Sequence, residues 1–224
     1  SNNTLYDEIL SAKEHILSLE HQMNEINKQM EFAKGQELDN LVKTFSSLNA
    51  KYEYENGYAY KSGVLGILKG LGFNEDDYNK TLDKFSGGQK TRIALGKILL
   101  SSPNLLILDE PTNHLDIESI NWLENYLINY KGAVILVSHD RYFLDKLVTK
   151  IIHIEQGICS TYMGNYTDFQ EKYAMRKEIE LKHYNNQQAQ IKHQQEVITK
   201  LRSFNREKSI KRAESRQKAL DKVE

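Results

Sequence analysis

With 224 residues, the chain is long enough to bury a substantial hydrophobic core without disulfides or metals, and its length predicts one or two domains. Its single cysteine, Cys159, excludes an internal disulfide, and the sequence contains neither a signal-peptide pattern nor a long apolar run. We therefore expect a soluble, cytoplasmic protein with no direct membrane insertion.

The net charge of -1 conceals an asymmetry along the chain. From Glu171 to the end there are 14 lysines and arginines against 8 aspartates and glutamates, whereas the preceding residues carry 16 against 23. An acidic body with a basic tail predicts a polyanionic partner for the tail. A solvated helix surface with an incidental surplus of lysine is an equally common interpretation.

The first third of the chain has the spacing of amphipathic helices. Apolar residues recur at intervals of three or four in two sets: Leu19, Met23, Ile26 and Met30, then Leu38, Leu41, Phe45, Leu48 and Tyr52. The short break at residues 33–35 between the two sets predicts an antiparallel helical hairpin, which we call the arm. Residues 53–72 combine glycine turns with apolar residues and predict a short apolar helix.

Residues 86–89, Ser-Gly-Gly-Gln, precede a helical pattern and are called the glycine turn below. Ser86 is a good N-cap, and Gly87 and Gly88 let a ligand approach the backbone closely. A helix start with free N–H groups, a hydroxyl and the Gln89 amide is suited to holding a phosphate. Taken alone, this pattern more often marks a cap than a binding site.

Residues 105–108, Leu-Leu-Ile-Leu, predict a buried central strand of a parallel sheet, and this strand leads directly into Asp109 and Glu110. Ligands bind at the carboxyl ends of such strands. Two neighbouring carboxylates there suit a magnesium–phosphate site, because Mg²⁺ prefers oxygen ligands and an attacking water needs a base. An ordinary turn after a strand is the alternative interpretation.

Asp116 follows and can cap a helix that carries apolar residues at helical spacing. Residues 133–137 then predict a second buried strand, which ends at Ser138-His139-Asp140. A lone histidine is more often structural, yet His139 at the same sheet edge as the carboxylates is placed to reach a terminal phosphate.

The last third begins with a short helix at residues 140–148 and a predicted β-hairpin of residues 150–154 and 158–162. From Tyr166 onward glycine and proline are absent, which predicts a long polar helix to about Leu201. A turn within residues 203–209 would lead into a second helix.

Three motifs therefore stand in order: the glycine turn, residues 105–116, and residues 138–140. Together they closely resemble the signature, the Walker B motif with its D-loop, and the switch histidine of ABC ATPases. The chain looks like a member of the ABC-F family of soluble, ribosome-associated ATPases in three respects. These are the sequence Asp-Glu-Pro-Thr-Asn-His-Leu-Asp, the arm before the signature and the charged segment after Tyr166. The resemblance covers nearly the whole chain, with Phe85 standing where leucine is more usual.

The resemblance implies an α/β fold: a partial ABC-type nucleotide-binding domain, with a parallel sheet core and a helical subdomain, a helical hairpin arm and a C-terminal helical linker. It places the partial domain at residues 1–165 and the charged interdomain linker at residues 166–224. Within the domain it implies an arm at about 5–55, a signature subdomain at about 56–100, and the Walker B and switch core at about 101–165.

The resemblance also implies a role for each motif. Asp109 would aid Mg²⁺ binding, Glu110 would be the catalytic base, and His139 would contact the γ-phosphate of ATP. Asp116 would couple two nucleotide-binding domains, and the glycine turn, Ser86, Gly87, Gly88 and Gln89, would serve ATP held by the opposite domain. The implied activity is ATP hydrolysis coupled to ribosome or tRNA engagement, with a second nucleotide-binding domain of the same longer chain as partner.

One expected motif is missing. A phosphate loop needs Gly-x-x-x-x-Gly-Lys-Ser/Thr, and the only Gly-Lys pair, Gly96-Lys97, is followed by Ile98. We therefore expect an internal fragment of a first nucleotide-binding domain plus the following linker, inactive alone. Two other functions stay open: an RNA-binding module in which the ATPase remnant is scaffold, and the ATPase subunit of a membrane transporter.

Overall fold

The computed structural model describes residues 3–204 and 206–221. The chain divides into two compact units, Ser1–Leu147 and Val148–Glu224. Asn205, in the predicted turn, and residues 222–224, at the end of the predicted linker, lie outside the described residues, as do residues 1 and 2 at the start of the predicted domain.

The first unit is mostly helical and carries a small sheet. Its helices are α1 (Leu5–Leu10), α2 (Glu14–Met30), α3 (Gln36–Tyr54), α4 (Tyr60–Gly70), α5 (Gly87–Ser101), α6 (Ile117–Ile128) and α7 (Arg141–Leu147). Its strands are β1 (Leu105–Asp109) and β2 (Ala133–Val137). The predicted alternation of strand and helix after residue 100 is confirmed.

The predicted hairpin is formed by α2 and α3, which pack together around a break in which Gly35 adopts a left-handed φ of 59°. Its apolar contacts form a cluster separate from the main core, built on Ile16, Met23 and Tyr52. Tyr60 at the start of α4 belongs to the same cluster, and its hydroxyl donates a hydrogen bond to a Glu20 carboxylate oxygen. The arm is therefore attached to the rest of the unit through α4.

The main core of the first unit lies between the helices and one face of the sheet. It contains fully buried side chains from several elements, among them Leu5, Leu68, Leu71, Leu99, Leu106, Leu123 and Phe143. Leu106 and Leu108 are the buried positions of β1, so this strand faces the core on alternate residues.

The sheet of the first unit pairs β1 and β2 in parallel, with Asp109 opposite Val137 at their carboxyl ends. The parallel pairing was predicted, but the prediction that both strands are buried on both faces is wrong. Leu105 and Ile107 are 50% and 63% exposed, and Ile135 and Val137 are 50% and 54% exposed. The physical reason is that a parallel sheet is buried on both faces only where helices cover both, and here helices cover one.

The second unit begins with the predicted hairpin, β3 (Lys150–Glu155) paired antiparallel with β4 (Ile158–Met163). Asn165 caps the long helix α8 (Tyr166–Ser203), and α9 (Glu207–Leu220) packs against it. Phe169 is the buried anchor of α8, with its ring against His153 and Tyr162 of the hairpin. In the part of the chain that the structure describes, no helix has the length and apolar character needed to cross a membrane.

Candidate functional site

The carboxyl ends of β1 and β2 bring Glu110 and His139 together. The Glu110 N–H donates to the Val137 carbonyl at 2.8 Å, so the strand ladder continues by one bond beyond Asp109. The His139 Nε2 atom lies 3.6 Å from Glu110 Oε1, which is ion-pair range for a protonated imidazole. The imidazole is fully exposed and the Glu110 side chain is 23% exposed, so a ligand at this strand edge reaches both.

The loop that follows β1, residues 110–116, is called the carboxylate loop below. Two of its non-glycine residues adopt left-handed backbone conformations, Glu110 at φ 47° and His114 at φ 68°. Two short turns hold this shape: the Asn113 N–H donates to the Glu110 carbonyl, and the Leu115 N–H donates to the Thr112 carbonyl, each at 3.1 Å. Non-glycine residues in this region are strained, and such strain clusters at functional sites.

The carboxylates fit a magnesium ion only in part. Asp109 is exposed at the end of β1, with Glu110 next to it. Among the described residues, no group of three or more histidine, cysteine, aspartate or glutamate side chains forms a metal cage. Mg²⁺ is commonly held by one or two carboxylates together with phosphates and water, and this donor set suits that arrangement rather than a site made of protein ligands alone.

The glycine turn begins α5, and Ser86 is its N-cap, as predicted; Gln89 completes a capping box. The Ser86 hydroxyl accepts from the Gln89 N–H at 3.3 Å, and the Gln89 side-chain oxygen accepts from the Ser86 N–H at 2.9 Å. Both polar side chains are therefore engaged in capping. Gly87 faces open space, whereas a Cβ on Gly88 would meet the His114 ring.

Asp116 caps α6, as predicted, because its Oδ1 atom accepts from the Ser119 N–H at 2.8 Å. The pKa of its carboxyl is held below the ordinary value chiefly by that backbone N–H, with a further contribution from the Arg92 charge. In the described residues no hydrogen bond or ion pair joins the glycine turn to Glu110 or His139. The catalytic and binding roles of these residues stay predictions.

Asp116→Ala is expected to lower the free energy of unfolding by about 0.5–2 kcal/mol at neutral pH, because α6 loses its cap. A carboxyl whose pKa is lower in the folded protein than in the unfolded chain stabilises the fold fully at pH values above its ordinary pKa of 3.8. This stabilisation is lost as the pH falls through the lowered pKa of the folded protein. Urea denaturation at pH 7 and in the acid range measures the difference.

Asn121→Ala, at an exposed position on the same helix, is the control. Its free energy of unfolding should stay within about 0.5 kcal/mol of that of the unchanged protein. A loss for Asp116→Ala that is equal at both pH values would contradict the capping role of the charged carboxylate.

Sequence reasoning missed Arg92, a residue of α5 whose guanidinium lies near Asp116 of the carboxylate loop. Its position four residues after Gly88, on the same face of α5, is the pattern that could have pointed to it. The Gly96-Lys97 pair is structural: it lies inside α5, where Lys97 Nζ is 2.6 Å from Glu8 Oε1.

Comparison with known proteins places these features in a family. A family profile described as ABC transporter matches residues 2–113, which is half of the chain. A second profile with the same description matches residues 152–224. The putative ATP-binding protein YdiF of Bacillus subtilis is 44% identical over 84% of this chain and 29% of its own length. The probable ATP-binding protein YheS of Haemophilus influenzae is 34% identical over 96% of this chain and 33% of its own length.

This chain thus spans about a third of the length of the curated relatives it matches. Among solved structures, an ATP-binding subunit of an ABC transporter matches with a TM-score of 0.45 and 22% identity, over 53% of this chain and 50% of that one. The cassette MJ0796 bound to ADP and Pi matches with a TM-score of 0.38 and 25% identity, over 46% of each chain.

Proposed function

The chain belongs to the ABC transporter family of ATP-binding proteins, and we propose that it is part of an ABC-F type ATPase. The longer protein binds and hydrolyses ATP between two nucleotide-binding domains and couples this reaction to ribosome and tRNA engagement in translation. The observation that carries the hydrolytic part is the pairing of Glu110 and His139, 3.6 Å apart at the carboxyl ends of two parallel strands.

Each residue has a chemical task in this proposal. Glu110 orients the attacking water and accepts its proton, and His139 donates a hydrogen bond to the terminal phosphate. Asp109 would contribute one oxygen ligand to Mg²⁺, which when bound would supply neutralisation of charge on the phosphate oxygens.

The glycine turn serves ATP held by an opposite domain. Two observations support this division: within this chain no described hydrogen bond links the turn to Glu110, and the only Gly-Lys pair lies inside α5. Since a phosphate cradle is absent from these 224 residues, the isolated chain is expected to be inactive.

Support for the translation part comes from the second unit. Six basic residues flank the turn between α8 and α9, and all six are exposed: Lys200, Arg202, Arg206, Lys208, Lys211 and Arg212. Lys211 is paired with Glu207 at 3.0 Å, and such exposed pairs are weak enough to exchange for a phosphate. A basic helical turn with few large apolar residues suits a phosphate backbone better than an apolar coupling surface.

The test is co-sedimentation of the full-length Glu110→Gln protein with ribosomes across a salt series, with the six basic residues changed to alanine in a second sample. Binding of the unchanged tail should weaken by about 0.7–0.9 logarithmic units per phosphate contact for each decade of salt. The six changes should lower the affinity and flatten this slope.

The control removes the same charge from exposed positions of the first unit: Lys43, Lys51, Lys69, Lys84, Lys131 and Arg141. Ribosome binding that is absent, or equally affected by both sets, would refute the tail's role and favour a transporter subunit. Measurable ATP turnover by the full-length protein would argue against an RNA-binding module with an inert scaffold.

A further inference from the structure

Helix α5 and the carboxylate loop touch within this chain. A Cβ placed on Gly88 would lie 3.0 Å from His114 Cγ and 3.2 Å from Nδ1, so the imidazole ring rests directly on the Gly88 backbone. His114 reaches this position from a left-handed backbone conformation, with φ at 68°. One end of the contact is in the glycine turn and the other is in the loop that begins with Glu110.

Helix α5 also approaches the carboxylate loop one helical turn further along, at Arg92. The Arg92 Nη1 atom donates to the Leu71 carbonyl at 3.2 Å. A Cβ on Gly72 would lie 3.1 Å from Asp116 Oδ2 and 3.4 Å from Arg92 Nη1, so the two charged groups both lie beside that glycine. They are close enough for their charges to interact, although the described residues show no ion pair between them. The Arg92 charge also helps to lower the pKa of Asp116.

The Gly88–His114 contact and the approach of Arg92 to Asp116 involve two residues of the carboxylate loop that are close in sequence. His114 and Asp116 are two residues apart, and the turns at Asn113 and Leu115 connect them to the Glu110 backbone. A shift of this loop along α5 therefore moves the Glu110 backbone as well. Misplacing a catalytic group by about 1 Å can cost about a hundredfold in rate, so a fixed loop matters to the chemistry.

We propose that Arg92 is a positioning residue. It acts through Asp116 and, together with the Gly88–His114 contact, holds the carboxylate loop against α5, which fixes Glu110 relative to the glycine turn. The kinetic part of this inference rests on the proposed function. The structural part does not, because it concerns only how residues of this chain are held relative to one another.

A purely structural role for Arg92 is the alternative to a positioning role, because its guanidinium also lies 5.2 Å from the centre of the Phe73 ring. Loss of that packing would destabilise α5 without acting on the loop. The variants must therefore separate the charge from the packing. Arg92→Met keeps a long side chain without charge, and Arg92→Lys keeps the charge without the planar fork. Asp116→Asn keeps an N-cap oxygen and removes the partner charge.

The first measurement is amide hydrogen exchange of the full-length protein without nucleotide. In Arg92→Met, the N–H groups of Leu115 and Ser119 should exchange about tenfold faster, because the loop and the Asp116 cap open more often. Lys69→Met, which removes an exposed charge from nearby α4, should leave them unchanged. In the Asp116→Asn background, Arg92→Met should add less than about threefold, since the partner is already gone.

The second measurement is steady-state ATP hydrolysis. We expect Arg92→Met to lower kcat about tenfold with KM for ATP changed less than about threefold, because the catalytic base is misplaced while ATP binding is kept. Arg92→Lys should recover part of that loss, and Lys69→Met should match the unchanged protein. If the unchanged protein hydrolyses no ATP, the proposed function fails, and hydrogen exchange alone decides the positioning role.

Two results would overturn the inference. One is exchange at Leu115 and Ser119 that is unaltered in Arg92→Met, or accelerated equally with and without the Asp116 carboxylate. The other is faster exchange in this loop together with an unchanged kcat in a protein that hydrolyses ATP, which would leave Arg92 with a structural role only.

Discussion

Glu110→Gln in the full-length protein is expected to reduce ATP hydrolysis by at least about a hundredfold, because a general base contributes about 10²–10⁴ in rate and an amide cannot accept the proton. ATP binding should remain, since glutamine keeps the size and shape of the side chain. The left-handed backbone at this position, φ 47°, is no harder for glutamine than for glutamate. Phosphate release and equilibrium ATP binding are the two measurements.

Glu118→Gln is the matched control, because it makes the same chemical change at an exposed position in the first turn of α6. Its turnover should equal that of the unchanged protein. If Glu110→Gln retains near-normal turnover, Glu110 is not the base, and the proposed hydrolytic site is wrong at its central residue.

Phe143→Ala is expected to lower the free energy of unfolding of the first unit by about 3–5 kcal/mol, the usual cost of deleting a buried phenyl ring. The ring is 0% exposed and belongs to the main core. Trp122, the single tryptophan, also packs against this core, so its fluorescence reports unfolding of the first unit. Urea titration of the 224-residue chain gives the midpoint.

Tyr142→Ala serves as the control on the same helix, because this neighbouring ring is 85% exposed. Its effect should stay within about 0.5 kcal/mol. Equal effects of the two substitutions would mean that α7 does not pack into the core as described.

The fold could be predicted from the sequence where local pattern decides the outcome. The parallel β1–β2 pair, the arm and the partial nucleotide-binding domain of the α/β class are confirmed. Burial of both faces of β1 could not be predicted correctly. A run of leucine and isoleucine shows that a strand suits a core on both sides, but what covers the second face depends on other elements.

The candidate site, like the fold, could be predicted from the sequence only in part. Glu110 and His139 were predicted to lie together because two strands end in polar residues and parallel strands end at one edge. Arg92 was not found, because an arginine inside a helix looks in sequence like any solvated surface residue. Its contact with the turn at Leu71 and its approach to Asp116 are created by tertiary packing.

The exposed face of the β1–β2 sheet is expected to make the isolated chain self-associate. Ile107 of β1 lies opposite Ile135 of β2, and Leu105 and Val137 are exposed on the same face, so these side chains form an apolar stripe. Such stripes, on sheets with unpaired strand edges, drive chains to associate with one another. When this chain is purified by itself, the apparent molar mass from light scattering should therefore rise with protein concentration. The substitution Ile107→Lys should reduce that rise.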